Sequence, residues 1–209
     1  MQPVVFCDLD GVVWLDRRPI PGSVEAIARL RAAGHRVLFV TNNSMALVAE
    51  HEGALAAIGI PAEGDVLSSS MAAATLVEPG RRVLVGGGPG VMEAFERRGA
   101  VAVNAADLEP GSDLDGYDAV AIGLHRDFDY PRLTLLATAV RRGATLIGTN
   151  ADSTFPTPDG PVPGGRSDPC CRGGQASRRW SPGNPTGRCC LARTAIGGDA
   201  DPRLRDGRG

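Results

Sequence analysis

Lysine is absent from this sequence: all 22 basic side chains among its 209 residues are arginine. Any chemistry that depends on a lysine ammonium group is therefore closed to these residues. A strong charge of either sign is missing too, because the formal net charge is −2 at pH 7. This near-balance removes the electrostatic case for binding nucleic acid or an anionic membrane.

Long apolar runs are also missing, as is a charged flank followed by an apolar stretch at the N-terminus. We therefore expect neither secretion nor a membrane span, which needs about 18 consecutive apolar residues. Four of the five cysteines form adjacent pairs, at residues 170–171 and 189–190, unlike the C-x-x-C spacing of zinc sites. We assign them to neither zinc nor disulfides and expect a reducing, cytoplasmic location.

Short apolar runs alternate with helical patterns over the first 165 residues. The first predicted elements are strands at residues 3–7 and 36–40 and helices at residues 23–33 and 44–58. Ser44 is the predicted N-cap of the second helix. Strand–helix–strand alternation predicts an α/β fold with a Rossmann-like parallel sheet covered by helices. The same rhythm restarts near residue 82 and predicts a second α/β unit.

The composition changes abruptly near residue 165. From residue 166 to 209 the chain has nine arginines and eight glycines but three large aliphatic side chains. Such a segment buries too little apolar surface to offset its ordering entropy, so we predict that it is disordered. The predicted division is a core at residues 1–70, an inserted α/β cap at 71–149, a return segment at 150–165 and this tail.

Two aspartates follow the first predicted strand, in the sequence DLDG at residues 8–11. Because strand side chains alternate, Asp8 and Asp10 should leave the sheet in the same direction, into one small site. Close carboxylates repel, so the pair predicts a compensating cation such as Mg²⁺ or a shared proton. A solvated turn at Gly11 is the alternative interpretation.

A second polar group, Thr41, Asn42 and Asn43, follows the next predicted strand. Carboxyl ends of parallel strands meet at one edge of a sheet, which is where ligands bind in open α/β folds. A hydroxyl and free backbone N–H groups at the start of a helix suit an anion such as phosphate. An ordinary helix cap explains the same residues equally well.

With these two motifs the sequence resembles the haloacid dehalogenase superfamily, and more narrowly its NagD-like and p-nitrophenylphosphatase-like branch. The resemblance covers residues 1–165 and includes the sequence GTNAD at residues 148–152. It implies a Mg²⁺-dependent phosphomonoester hydrolase that acts on a small phosphorylated metabolite. In that family pattern Asp8 is the nucleophile that forms an aspartyl-phosphate, and Asp10 is the general acid and base. The resemblance also implies that Asp8 and the backbone carbonyl of Asp10 would bind the metal together with the phosphate.

The resemblance also implies roles for residues outside the aspartate pair. Thr41, Asn42 and Asn43 would hold the transferring phosphoryl group. Asp152 would lie at the seam between cap and core, where substrate is screened. A homodimer formed through the cap is a further expectation.

The sequence departs from the family pattern after residue 165. The third motif is a lysine and the fourth an acidic G-D-x-x-x-x-D cluster, and neither is recognised there. The sequence GDAD at residues 198–201 echoes the fourth motif only faintly, and we attribute it to chance. We therefore expect a truncated or frame-shifted phosphatase with impaired activity. The alternative is a catalytically dead remnant, or a cap-type binding or dimerisation module.

Three weaker features have competing interpretations. The sequence GGGPG at residues 86–90 matches neither nucleotide-loop pattern, so a tight turn within the cap is favoured. The histidines, His35, His51 and His125, show no metal-ligand spacing, which favours solvated or cap positions. Trp14 fits a shield over the aspartates and ordinary packing equally well.

Overall fold

The computed structural model describes residues 3–126, 128–150, 152, 154–155, 157, 160, 162–163 and 190–191. The helices are α1 (Ser23–Ala32), α2 (Val48–Ala57), α3 (Ser69–Ala74), α4 (Pro89–Arg97) and α5 (Tyr130–Arg141). The longer strands are β1 (Val4–Asp8), β4 (Arg36–Thr41), β5 (Val66–Ser68), β6 (Arg82–Gly86), β7 (Val101–Asn104), β8 (Ala119–Ile122) and β9 (Thr145–Gly148). Two-residue strands are β2 (Trp14–Leu15), β3 (Arg18–Pro19), β10 (Thr154–Phe155), β11 (Val162–Pro163) and β12 (Cys190–Leu191).

The first sheet contains three parallel strands in the order β1-β4-β5. One face is apolar, because Val37 and Phe39 of β4 pack with Leu55 of α2 in a single core cluster. The opposite face of β1 carries Val4 and Phe6, which are 47% and 49% exposed. No other described strand pairs with β1, so it lies at an edge of this sheet.

The second sheet has the order β12-β9-β8-β6-β7 and is also parallel. Val85 of β6 packs with Phe95 of α4 in one core cluster. Its neighbour Leu84 packs with Leu136 of α5 in another. Since adjacent residues of a strand point to opposite faces, this sheet is covered on both sides.

The predicted α/β class with parallel sheets is confirmed. The strands between residues 82 and 148 form a sheet that does not include β1, in keeping with two α/β units. The boundaries at residues 70 and 149 stay predictions. Among the helices of the described part, none is long and apolar enough to cross a membrane.

The predicted start of the second helix is wrong. The helix α2 begins at Val48, and Ser44 lies outside it, fully buried, with its Oγ accepting a hydrogen bond from the Leu124 N–H at 3.1 Å. The Glu50 carboxylate accepts the Leu47 N–H instead, and the Glu93 carboxylate accepts the Val48 N–H. The start of α2 is thus capped partly by its own Glu50 and partly by Glu93 of α4, and not by Ser44.

Glycines let the second sheet approach the loop that precedes α2. Gly90 N–H donates to the Met45 carbonyl at 2.9 Å. A Cβ added at Gly90 would lie 2.1 Å from the Ala46 carbonyl oxygen, and one at Gly88 would lie 2.5 Å from Met45 Cγ. The tight-turn interpretation of residues 86–90 therefore omitted their main effect, which is close backbone packing.

One finding concerns the segment predicted to be disordered. Cys190–Leu191 pairs in parallel with β9, as an edge strand of the second sheet, which departs from the prediction. The remainder of residues 166–209 lies outside the described residues.

Candidate active site

The two aspartates flank a buried leucine where β1 ends. Leu9 is 0% exposed and its N–H donates to Asp8 Oδ1 at 2.9 Å. Because Leu9 enters the core, Asp8 and Asp10 are left on the outer side of the chain. Gly11 follows with φ of 87°, a left-handed conformation that glycine adopts without steric cost.

The pKa of the Asp8 carboxyl is raised above its ordinary value. Partial burial is the largest cause, and the negative charges of Asp10 and Asp152 act in the same direction. The hydrogen bond from Leu9 N–H opposes them. A bound cation would therefore stabilise the ionised form of Asp8.

The loop after β4 is held by its own side chains. Thr41 Oγ1 accepts the Asn43 N–H at 3.1 Å, and Asn43 Oδ1 accepts the Met45 N–H at 3.2 Å. From the next strand–helix junction, Ser69 Oγ donates to the Asn42 carbonyl at 3.1 Å. These short-range bonds fix the backbone beside the aspartates.

The chain returns to this loop after β9. The Asn42 side-chain amide donates to the Asp152 carboxylate. The Asn150 amide donates to the Asn42 carbonyl at 2.8 Å. Residues more than 100 positions apart thus meet at the ends of β1 and β4.

A cavity of about 380 Å³ opens at this junction. Four of the six predicted site residues line it: Asp10, Asn42, Asn43 and Asp152. The other two, Asp8 and Thr41, stand at the ends of β1 and β4 without lining it. Their roles, like those of the other four, stay predictions.

Both interpretations of Trp14, ordinary packing and a position beside the aspartates, describe it correctly. It is only 2% exposed and packs in the core of the first sheet. It also lines the cavity, and its Nε1–H donates to Asp10 Oδ1 at 3.0 Å. This bond fixes one oxygen of the Asp10 carboxylate.

His51 is a site residue that the sequence did not reveal, and its predicted solvated or cap position is wrong. It is 3% exposed, lies on α2 and lines the cavity. Burial holds its pKa below the ordinary value of 6.5, and the nearby charge of Arg17 acts in the same direction. A hydrogen bond to the Asn43 backbone and the carboxylates of Asp10 and Glu50 oppose this.

Two arginines also line the cavity, Arg17 from the β2–β3 turn and Arg126 from the loop after β8. Nothing in the sequence distinguishes them from the other 20 basic residues.

The described residues contain no group of three or more His, Cys, Asp or Glu side chains placed to hold a metal ion. The Asp8 carboxylate, together with the Asp10 backbone carbonyl, nevertheless fits Mg²⁺, which is commonly held by one or two carboxylates together with water and substrate phosphate. The raised pKa of Asp8 agrees with a site that favours a cation. Mg²⁺ itself stays a prediction.

Comparisons with known proteins agree on one family. The model of the haloacid dehalogenase-like hydrolases matches residues 5–101. A D-glycerol 3-phosphate phosphatase of Mycobacterium tuberculosis is 37% identical over 169 residues, which are 78% of this chain and 45% of that protein. An acid sugar phosphatase of Staphylococcus saprophyticus is 32% identical over 161 residues, covering 75% and 59%.

Solved structures give the same result. The glycerol phosphate phosphatase of Mycobacterium tuberculosis in complex with magnesium has a TM-score of 0.68 at 33% identity. The match covers 79% of this chain and 49% of that one. The present chain thus spans about half the length of the curated relatives that it matches.

Proposed function

The chain belongs to the haloacid dehalogenase-like hydrolases, on their NagD-like branch, and on this premise we propose that it is a phosphomonoester hydrolase. The observation that carries the proposal is the cavity where Asp10, Asn42, Asn43 and Asp152 meet. By analogy with relatives named for glycerol phosphate and acid sugars, the substrate is a small phosphorylated polyol or sugar.

Asp8 is the proposed nucleophile. Its carboxylate attacks phosphorus, so that a bond from Asp8 oxygen to phosphorus forms while the bond to the substrate alkoxide breaks. The aspartyl-phosphate is then cleaved by water, which releases orthophosphate and restores the carboxylate. Asp8 lies at the exposed end of β1, and the Leu9 N–H donates to its Oδ1, which leaves Oδ2 for the attack.

Asp10 is the proposed general acid and base. It donates a proton to the departing alkoxide and later removes one from the attacking water. The hydrogen bond from Trp14 Nε1 to Oδ1 holds the carboxylate in one orientation and leaves Oδ2 for this transfer. Asn42 and Thr41, with the backbone they brace, are proposed to hold the phosphoryl oxygens.

Mg²⁺ would be held by Asp8 and Asp10, and when bound it would offset negative charge on the phosphoryl group and on the carboxylates. We also propose that residues 1–70 form the core and residues 71–149 the cap. The separation of the two sheets supports this division.

Catalysis by these 209 residues is proposed to be slow, because they contain no lysine to neutralise the nucleophile during its attack. Loss of one preorganised charge of this kind costs about 10²–10³ in rate. We therefore expect a kcat about 100-fold or more below the ~10 s⁻¹ typical of enzymes.

The test compares Asp8→Asn with Asp107→Asn, which makes the same chemical change at an exposed acid that does not line the cavity. With p-nitrophenyl phosphate and Mg²⁺, Asp8→Asn should lower kcat by about 10³-fold or more, as for other lost nucleophiles. Asp107→Asn should stay within about threefold of the parent. Mass spectrometry after acid quenching should detect a phosphorylated chain that Asp8→Asn lacks. Equal turnover in the two variants would reject Asp8 as nucleophile.

A further inference from the structure

The cavity is rich in negative charge before any substrate enters it. Its lining carries four carboxylates: Asp10, Asp16, Glu50 and Asp152. A phosphate ester with two negative charges would be repelled unless cationic groups face it. Lysine is absent, and the lowered pKa of His51 keeps that imidazole uncharged near neutral pH. Among the described residues, the cations along this cavity are therefore Arg17 and Arg126.

Arg17 is held at the cavity in a conformation that arginine rarely adopts. Asp16 and Arg17 form the two-residue turn between β2 and β3, with φ values of 50° and 62°. Asparagine and glycine are the usual residues at such positions. These two are the non-glycine residues with positive φ in the described part of the chain. Unfavourable backbone at a cavity is an observation from which a functional role can be inferred.

The hairpin that carries Arg17 is firmly anchored. Trp14 of β2 is buried and hydrogen-bonded to Asp10. Ile20 N–H and Ser23 Oγ both donate to the Val13 carbonyl, at 2.9 and 2.8 Å. The arginine side chain therefore starts from a fixed backbone beside the aspartates.

Arg17 and Arg126 are also unpaired with respect to the residues that the structure describes. Arg31 and Arg36 share Asp65, and Arg81 pairs with Asp118. Among the described residues, neither cavity arginine has a hydrogen-bond or ion-pair partner of this kind, although four carboxylates line the same cavity. Both guanidinium groups are thus free to bind an anion.

We propose that Arg17, assisted by Arg126 from the loop after β8, binds the phosphoryl group of the substrate in place of a lysine. This inference rests on the proposed phosphatase function and assigns the positive charge that the function requires. The guanidinium donates to phosphate oxygens in fork geometry, whereas an ammonium acts as a point charge.

The test measures binding of orthophosphate in the presence of Mg²⁺, so that it does not depend on turnover. Trp14 lies in the cavity wall, and a Trp180→Phe background leaves it as the remaining tryptophan for fluorescence titration. Arg17→Asn and Arg18→Asn make the same change at adjacent positions, and Arg18 does not line the cavity. Arg17→Asn should weaken orthophosphate binding about tenfold, the loss of one charge-assisted contact. Arg18→Asn should stay within about twofold.

Thermal unfolding provides a second readout, which distinguishes a loss of phosphate binding from a loss of folded structure. Asparagine adopts positive φ more readily than arginine, so Arg17→Asn should keep or raise the thermal unfolding midpoint while it weakens binding. Arg126→Gln should weaken binding about threefold, since its loop adds the second contact.

Three outcomes would overturn the inference. One is an equal loss of orthophosphate affinity in Arg17→Asn and Arg18→Asn, which would indicate only a general charge effect. Another is a loss for phosphoglycolate with no loss for orthophosphate, which would place Arg17 at a remote carboxylate. The third is no orthophosphate binding by the parent. The Asp8→Asn assay judges the proposed function separately, because it detects the phosphorylated chain rather than orthophosphate affinity.

Discussion

The first and second sheets differ in how completely they are covered. In the second sheet, Leu84 and Val85 are neighbours on β6 and both are fully buried, each in a different core cluster. In the first sheet, Phe39 is fully buried while Phe6 on the adjacent strand is half exposed. Parallel sheets are normally covered on both faces, so the first sheet is the atypical one.

The two sheets also differ in what they contribute: one carries candidate catalytic residues, and the other supplies packing. The side chains whose pKa values are shifted include Asp8 and His51, which belong to β1 and α2 beside the first sheet. The second sheet supplies apolar packing and, through the glycines of residues 86–90, a rigid surface against the loop after β4. The partly covered sheet thus carries the candidate chemistry, and the fully covered sheet supports it.

The largest expected effect comes from removing one aromatic ring beside each sheet and comparing the losses of stability. Phe95→Ala removes a fully buried ring of α4 that packs against the second sheet, and it should cost about 3–5 kcal/mol of unfolding free energy. Phe6→Ala removes an equal ring from the exposed face of β1 and should cost about 1 kcal/mol or less. Urea unfolding followed by circular dichroism measures both. Equal losses would mean that the exposed face of β1 is covered in solution.

The next effect tests the contact between the sheets. Gly90→Ala places a Cβ against the Ala46 carbonyl and should destabilise the chain by about 1–3 kcal/mol, as overpacking does. Gly53→Ala in α2 is the matched control, because nothing lies within 4 Å of its Cβ. That variant should be more stable by about 0.5–1 kcal/mol, the helix preference for alanine. A tolerated Gly90→Ala would show that the two sheets separate easily.

The smallest effect concerns His51. Its pKa is lowered in the folded chain, so below its ordinary value of 6.5 the unfolded chain binds more protons than the folded one. The contribution of neutral His51 is therefore present above pH 6.5 and is lost as the pH falls below it. Against His51→Gln, the parent should lose relative stability between pH 7 and pH 5 in thermal melts. Parallel stability curves for the two proteins would contradict the burial of His51.

Local patterns predicted most of the secondary structure. The helix at residues 23–33 was observed as Ser23–Ala32, and the strand at residues 36–40 as Arg36–Thr41. Their periodicity and terminal glycine are local signals, so the sequence suffices. The predicted start at Ser44 failed because Ser44 bonds to Leu124, 80 residues away, and no local propensity encodes that contact.

The candidate site was predicted in part for the same reason. Asp10, Asn42 and Asn43 follow strands, and parallel strands bring such ends together by topology alone. His51 gave no signal, since burial of a histidine depends on which face of α2 meets the sheet.

By itself, the sequence determined the alternation of strands and helices, the aspartates after β1, the polar loop after β4 and the absence of lysine. These follow from composition and from patterns of a few residues. Only the tertiary structure decided that Arg17, His51, Arg126 and Asp152 line one cavity. The physical reason is that these residues belong to four segments far apart in the sequence, which only the packing of the folded chain brings together.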